Sequence, residues 1–284
     1  MASDNTGILY ICATPIGNMS DITLRVIDTL KEADLIAAED TRNSIRILNA
    51  YDIDTPMTSY HEHNKYDKAM QLIDTMRAGK SVALITDAGT PAISDPGEVL
   101  VRECMNAGIP VTSLPGASAC ITALTLSGLS TRRFVFEGFL PYDKKEKALV
   151  LEDLKTEHRT VVLYEAPHHL VRTLKELSEA LGDRRITICR ELTKKFETVT
   201  PTTLREALEY YESNEPRGEY VIVMEGRDRE EMKAEERGRW ESMTLEEHLD
   251  MYLSDGLDKK EAMKRVAADR GISRREVYNS LLAK

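Results

Sequence analysis

Four short apolar runs rich in β-branched residues, Ile8 to Cys12, Leu35 to Ala38, Val82 to Ile85 and Val111 to Leu114, are each followed by a turn and a longer helical pattern. This alternation constrains the fold most, because strands separated by helix-length segments pair side by side in a largely parallel sheet with crossover helices. Ile22, Val26 and Leu30 recur every four residues behind the polar Ser20-Asp21, which predicts the first helix. Leu72, Ile73 and Met76 mark another helix, ended by Gly79.

A second series begins near Phe134. Phe134 to Phe136, Thr160 to Tyr164, Ile186 to Cys189 and Tyr220 to Met224 are strand-like, with helical patterns at Leu170 to Leu181 and Leu204 to Tyr211. Thr203 and Glu206 have capping-box spacing at the start of the latter. Two α/β halves are therefore expected, with a joint around 127–133. The segment from Arg227 to Ser242 carries 11 charged residues in 16 without an apolar period and reads as a tether or a solvated helix.

Beyond it, Leu245, Leu249 and Tyr252, then Ala262, Val266 and Ala267, then Val277, Leu281 and Leu282 predict three short helices. Ser273 and Glu276 form a capping box for the last, with Ile272 and Val277 at the staple positions and Gly271 breaking the helix before it. The pattern is that of a helix-turn-helix, with a recognition helix over roughly Arg274 to Ala283. From Lys259 to Lys284 there are eight Lys/Arg against three Asp/Glu, inside a chain of net charge −10. Lys264, Arg274 and Arg275 are thus candidates to meet phosphates. The expected division is an α/β domain over 1–118, a second over 119–226, a charged linker over 227–243 and a helix-turn-helix-like domain over 244–284.

A chain of 284 residues, 42% apolar and 30% charged, has the composition of a globular protein large enough to bury a core without disulfide or metal staples. Its acidic balance offers no general attraction for polyanions, so any nucleic-acid contact must be local. No apolar run is long enough to span a bilayer and the start is polar, so a soluble, cytoplasmic protein without membrane partners is expected. Cys12, Cys104, Cys120 and Cys189 are widely spaced and read as buried thiols; neither they nor the histidines have zinc-ligand spacing, so no metal is expected.

Ligands of open α/β sheets sit beyond the carboxyl ends of the strands. There the sequence places Ala13-Thr14-Pro15-Ile16-Gly17-Asn18, Glu39-Asp40-Thr41-Arg42, Thr86-Asp87-Ala88-Gly89-Thr90-Pro91 followed by Asp95-Pro96-Gly97, and Pro115-Gly116-Ala117-Ser118-Ala119. The first loop has one glycine where a dinucleotide fingerprint needs three, which argues against a nicotinamide dehydrogenase. Gly/Pro loops beside short polar side chains let backbone groups approach a ligand closely, which suits a purine and an amino-acid moiety.

These loops, with SYHEHN, FEGFLP, LYEAPHHL, RELTKKFET and GEY, resemble the tetrapyrrole-methylase superfamily of S-adenosylmethionine-dependent enzymes, and within it the ribosomal RNA small-subunit methyltransferase I family. The resemblance runs from about Leu9 to Tyr220, and the tail is similar to the helix-turn-helix extension of many members. It implies two α/β domains with S-adenosylmethionine in the cleft between them. It further implies 2′-O-methylation of a decoding-centre cytidine of 16S rRNA in the small ribosomal subunit, and a homodimer. Pro15, Asp87, Gly89, Pro91, Ile93, Ser118 and Ala119 would hold the cofactor from the first domain side, and Tyr164 and Leu192 from the second. Thr86 stands where the family usually has Ser, and His169 where Arg is common.

A ribose hydroxyl is a weak nucleophile that needs a proton acceptor or a cation to stabilise the developing alkoxide. Candidates are Glu39, Asp40, His61, His63, Glu191, Lys194 and Glu197, among which the sequence does not choose. Arg42, Asn64, Lys144 and Lys145 are candidates for RNA contact, and Arg132-Arg133 extend the basic rim. Two other functions fit parts of the pattern: C-methylation of a tetrapyrrole, which would not call for the tail, and a ligand-sensing regulator that binds DNA through it. No DNA partner is expected on the leading reading.

Overall fold

The structure, a computed structural model, describes residues 6–282. It forms two compact units: the residues up to Leu151 together with Arg159–Glu225, and Glu152–His158 together with the chain from Gly226 onward.

The first unit opens with β1 (Leu9–Cys12), α1 (Leu24–Glu32), β2 (Leu35–Ala38), α2 (Thr41–Ala50), β3 (Met57–Ser59) and α3 (Lys65–Arg77). It continues through β4 (Val82–Ile85), α4 (Gly97–Asn106) and β5 (Val111–Leu114). The five strands form one parallel sheet in the order β3-β2-β4-β1-β5. Every residue of β4 is buried, since helices cover both faces. Leu9, Val82 and Leu84 pack with Leu72, Met76 and Leu100 on one face; Ala83 and Ile85 pack with Val26, Leu30 and Leu48 on the other.

Next come α5 (Ala119–Leu126), β6 (Phe134–Gly138), α6 (Lys144–Thr156), β7 (Thr160–Glu165), α7 (Pro167–Leu181), β8 (Arg185–Arg190), β9 (Thr198–Thr203), α8 (Leu204–Ser213) and β10 (Tyr220–Met224). The parallel arrangement does not carry over. The second sheet, ordered β6-β7-β10-β8-β9, is parallel only between β6 and β7, and its other pairs are antiparallel. Antiparallel neighbours need only a short connection, which the seven residues between β8 and β9 supply. α5 packs Cys120, Ala123 and Leu124 on Val162, Cys189, Val221 and Val223, and Ile16 from the first sheet's loop joins this cluster.

Several local expectations change. The first helix starts at Thr23, whose hydroxyl accepts the Val26 N–H, while Met19–Asp21 forms a separate 3₁₀ turn. Asp40 of the second loop is an N-cap that begins α2. The strands β3 and β9 have no clear strand signal in the sequence, because Met57–Ser59 is short and the β9 segment TVTPTT carries a proline and little apolar patterning. Thr203 caps α8, but Glu206 bonds the Thr202 hydroxyl instead of closing the box.

In the second unit the charged stretch forms a helix, α9 (Arg229–Glu241), N-capped by Asp228; it is followed by α10 (Leu245–Ser254), α11 (Lys259–Arg270) and α12 (Arg274–Leu282). Leu249, Ala262, Met263, Val266, Ala267 and Val277 form its core. Both halves of the expected Ser273–Glu276 box are present. Of the expected recognition helix, Ala283 lies outside the described residues.

Candidate active site

The loops that leave β2, β4 and β5 meet residues from one end of the second sheet around a cavity of about 580 Å³ within the first unit. Its first wall is a hydrogen-bonded frame. Thr14 and Gly89 exchange backbone hydrogen bonds at 2.9 and 3.1 Å, and the Thr14 hydroxyl donates to the Thr86 carbonyl at 3.0 Å. Gly89 sits at φ +87°, and a Cβ there would come within 3.3 Å of Ile16 Cγ2. Thr90 donates its hydroxyl proton to the Ala117 carbonyl at 2.9 Å, linking the β4 and β5 loops.

Carboxylates dominate this wall. Thr86 donates to Glu39 Oε2 at 2.5 Å, and the Asp87 N–H faces the same oxygen at 3.4 Å. The hydroxyl common to Thr and Ser is thus the atom in use at position 86. Asp87 accepts from the Asp40 N–H at 3.2 Å and the Asn43 amide at 2.9 Å. Asp95 Oδ1 accepts the Ala92 and Gly97 N–H groups at 2.8 and 2.9 Å, holding a loop in which Ala92 and Ser94 both have positive φ. Burial raises the Asp95 pKa, those N–H groups oppose the rise, and the nearby Glu39 charge adds to it.

The second sheet supplies the opposite wall. Tyr164 at the end of β7 lines the cavity, and its hydroxyl accepts the Cys120 N–H at 3.0 Å from the first turn of α5. Burial pushes the Tyr164 phenol up to about 12. Glu165 is buried, accepting from the Ala166 N–H at 2.7 Å and the Thr173 hydroxyl at 2.5 Å. Glu219 precedes β10, and register places Tyr220 beside both Glu165 and Arg190.

Behind Glu219 lies an ion-pair cluster: Lys194 Nζ is 2.7 Å from Glu219 Oε2 and 3.0 Å from Glu191 Oε1. Burial penalises the charge on both Glu191 and Lys194, yet their mutual contact and hydrogen bonds win, lowering the carboxyl pKa and raising that of the amine. The 190s loop closes tightly on the loop after β1. A Cβ on Gly17 would fall 2.4 Å from Lys194 Cγ, and the Asn18 N–H donates to the Thr193 hydroxyl at 3.1 Å.

Of the residues expected at the cofactor, Asp87, Gly89, Ile93, Ser118, Ala119, Tyr164 and Leu192 line this cavity. Pro15 and Pro91 are buried in the loops and are not among its lining residues. Of the proton-transfer candidates, Glu39 alone lines it. Asp40 is turned to Arg42, whose guanidinium grips both of its oxygens at 2.7 and 3.0 Å and holds its carboxyl down at about 2. His61 and His63 follow β3 with rings 6.0 Å apart, and His61 Nδ1 is buried without a hydrogen-bond partner. Glu197 accepts the Thr193 N–H.

The RNA candidates are spread out. Asn64 uses its amide within its own turn, accepting the His61 N–H at 2.8 Å. Lys144 and Lys145 start α6 with exposed side chains. In the second unit Lys264 pairs with Glu261, while Arg274 and Arg275 are exposed. Asp95, Phe139, Glu165 and Glu219 also line the cavity; they lie in Asp95-Pro96-Gly97, FEGFLP, LYEAPHHL and GEY, stretches whose residue types and spacing signal no role for these four.

Residues 8–208 match the family described as Tetrapyrrole (Corrin/Porphyrin) Methylases. The chain is 47% identical to the ribosomal RNA small subunit methyltransferase I of Bacillus subtilis (strain 168), over 96% of this chain and 94% of that one. It is 44% identical to the protein of the same name from Synechocystis sp., over 96% of each. Among solved structures it resembles a diphthine synthase, with TM-score 0.62 and 14% identity over 78% of this chain and 90% of the other. It also resembles the uroporphyrin-III C-methyl transferase of Thermus thermophilus complexed with S-adenyl homocysteine, with TM-score 0.57 and 20% identity over 77% and 97%.

Proposed function

Because the chain belongs to the tetrapyrrole methylases and, within them, to the ribosomal RNA small subunit methyltransferase I family, we propose that it transfers a methyl group from S-adenosylmethionine to the 2′-oxygen of a cytidine ribose in small-subunit ribosomal RNA. The observation that carries this reading is the charge of the cavity. Glu39, Asp87, Asp95, Glu165 and Glu219 line it with no Lys, Arg or His among the lining residues. Such a site repels a bare polyanion and favours a ligand carrying positive charge. A sulfonium with an ammonium group is such a ligand, and about 580 Å³ lies within the range of small-molecule sites.

The residues present fit that cofactor. Ser118 and Ala119 open α5, whose N-terminal end suits the carboxylate of an amino acid. Gly89 leaves its backbone bare, Asp87 and Glu39 offer acceptors, and Ile16, Ile93 and Leu192 supply apolar surface. When bound, S-adenosylmethionine would supply an electrophilic methyl carbon, which passes to an acceptor oxygen in line with the C–S bond while S-adenosylhomocysteine leaves. The protein's share is to align that oxygen and exclude water.

We assign proton acceptance to Glu39. Its Oε2 is occupied by Thr86, so the carboxylate is held in orientation while Oε1 remains open. Lys194, shared between Glu191 and Glu219, holds the β10 end of the cleft in place. The reading extends, on family resemblance alone, to a homodimer acting in the cytoplasm on ribosomal RNA within the small subunit. No helix among the described residues is long and apolar enough to cross a membrane. The tetrapyrrole and DNA-regulator alternatives are not favoured, since relatives matching nearly the whole chain carry the ribosomal RNA name.

The test is incubation with labelled S-adenosylmethionine and small ribosomal subunits from a strain lacking the modification. Label is expected in RNA, at one phosphodiester that resists alkali, because a methylated 2′-oxygen cannot attack its neighbour. Label in a tetrapyrrole precursor instead, or in nothing, overturns the reading.

A further inference from the structure

A row of rings leads out of the cleft. Phe139 lines the cavity with its ring 5.6 Å from Tyr164, which in turn sits 4.9 Å from Phe136. Three residues on, Tyr142 lies 5.6 Å from His169, whose ring is 4.1 Å from His168. Phe139, Tyr142, His169 and Arg172 share a shallow hollow, and Phe139 and Glu165 border both it and the cleft. Phe139 is 51% exposed and Tyr142 80% exposed, so neither ring is there to fill the core.

Exposed rings continuous with a ligand cleft need a reason. Lys144 and Lys145 follow Tyr142 by two and three residues at the start of α6, exposed and without an ion pair among the described residues. Stacking rings beside unpaired cations make a platform for single-stranded nucleic acid. A nucleotide whose ribose enters an enclosed cleft must leave its stack, and the bases beside it lose a neighbour. Rings at the mouth replace that neighbour.

Resting on the methyltransferase reading above, we infer that the Phe139–Tyr142–His169 row is a ledge on which an unpaired RNA base flanking the methylated nucleotide stacks, with Tyr142 as its outer step. The acidic cavity excludes phosphate, and the ledge with Lys144 and Lys145 holds the strand outside it.

The test compares wild type with Tyr142→Ala and Tyr142→Phe in methyl transfer to small ribosomal subunits lacking the mark, with S-adenosylmethionine affinity measured by calorimetry. Stacking contributes equally to ground and transition states, so Tyr142→Ala is expected to raise KM for subunits about tenfold at nearly constant kcat. Tyr142→Phe keeps the ring and the wild-type KM, and cofactor affinity is the same in all three. An unchanged KM in Tyr142→Ala, an equal rise in Tyr142→Phe, or a parallel loss of cofactor affinity overturns the ledge and leaves methyl transfer standing. A wild-type enzyme that labels no RNA removes the function and the ledge together.

Discussion

The Tyr164 hydroxyl accepts the Cys120 N–H at 3.0 Å, so a strand end of the second sheet caps the helix that follows the last strand of the first. The bond ties both walls of the cleft together at the point where Ser118 and Ala119 face the cavity. Tyr164→Phe leaves that N–H, at a partly buried helix start, without its acceptor, which should lower the unfolding free energy by about 1–3 kcal/mol. Urea denaturation followed by circular dichroism measures this; an unchanged midpoint would mean that water replaces the phenol.

Gly89 is held at φ +87° by the paired hydrogen bonds to Thr14. A β-branched residue meets that backbone only with strain, and a side chain there enters the space between Ile16 and Ala117. Gly89→Val is expected to weaken S-adenosylmethionine binding at least tenfold by calorimetry. Wild-type affinity in a folded variant would take Gly89 out of the cofactor site.

Asp95 links the cleft to pH. Its folded-state pKa lies above the ordinary aspartate range, chiefly through burial, so the charged form is penalised in the native protein. That penalty is fully present above the folded pKa and vanishes as pH falls through it and below the pKa of the unfolded chain. Asp95→Asn keeps an oxygen for the Ala92 and Gly97 N–H groups and removes the charge. Its Tm is expected to exceed the wild type's at pH 7, with the gain lost under acid conditions; scanning calorimetry across pH decides, and a lower Tm at pH 7 refutes the account.

Glu39→Gln preserves an acceptor for the Thr86 hydroxyl but cannot take up a proton. General-base loss typically costs about 10²- to 10⁴-fold, so kcat should fall by that order while cofactor affinity changes little. Single-turnover methyl transfer measures it, and near-wild-type rates would move the base elsewhere.

In the second unit, Ser273 caps α12 by accepting the Glu276 N–H at 3.2 Å. Ser273→Ala should cost about 1 kcal/mol. The chain's single tryptophan, Trp240, stacks on His248 with ring centroids 4.1 Å apart, so its emission reports unfolding of this unit. The denaturant midpoint read from that emission is expected to drop, with S-adenosylmethionine binding unaffected.

Local pattern was enough for most of the first sheet: β1, β2 and β4 are apolar runs because strands covered on both faces must be, and the loops after β2 and β4 carry Glu39, Asp87 and Gly89; the short edge strand β3 left no such signal. The cap at Ser273 was equally legible, since a capping box lies within four residues. Pairing in the second sheet was not, because strand direction depends on partners distant in the chain. That direction brings the amino end of β10 to the cleft, so Glu219 enters a site where only carboxyl ends were sought. Arg42 stands two residues from Asp40 and three from Glu39, so the sequence leaves its ion-pair partner open between them, and the 2.7 Å contact gives it to Asp40. Residue types and short spacings decide which groups are present; which of them share one cavity follows from contacts between segments far apart, whose energies no local window contains.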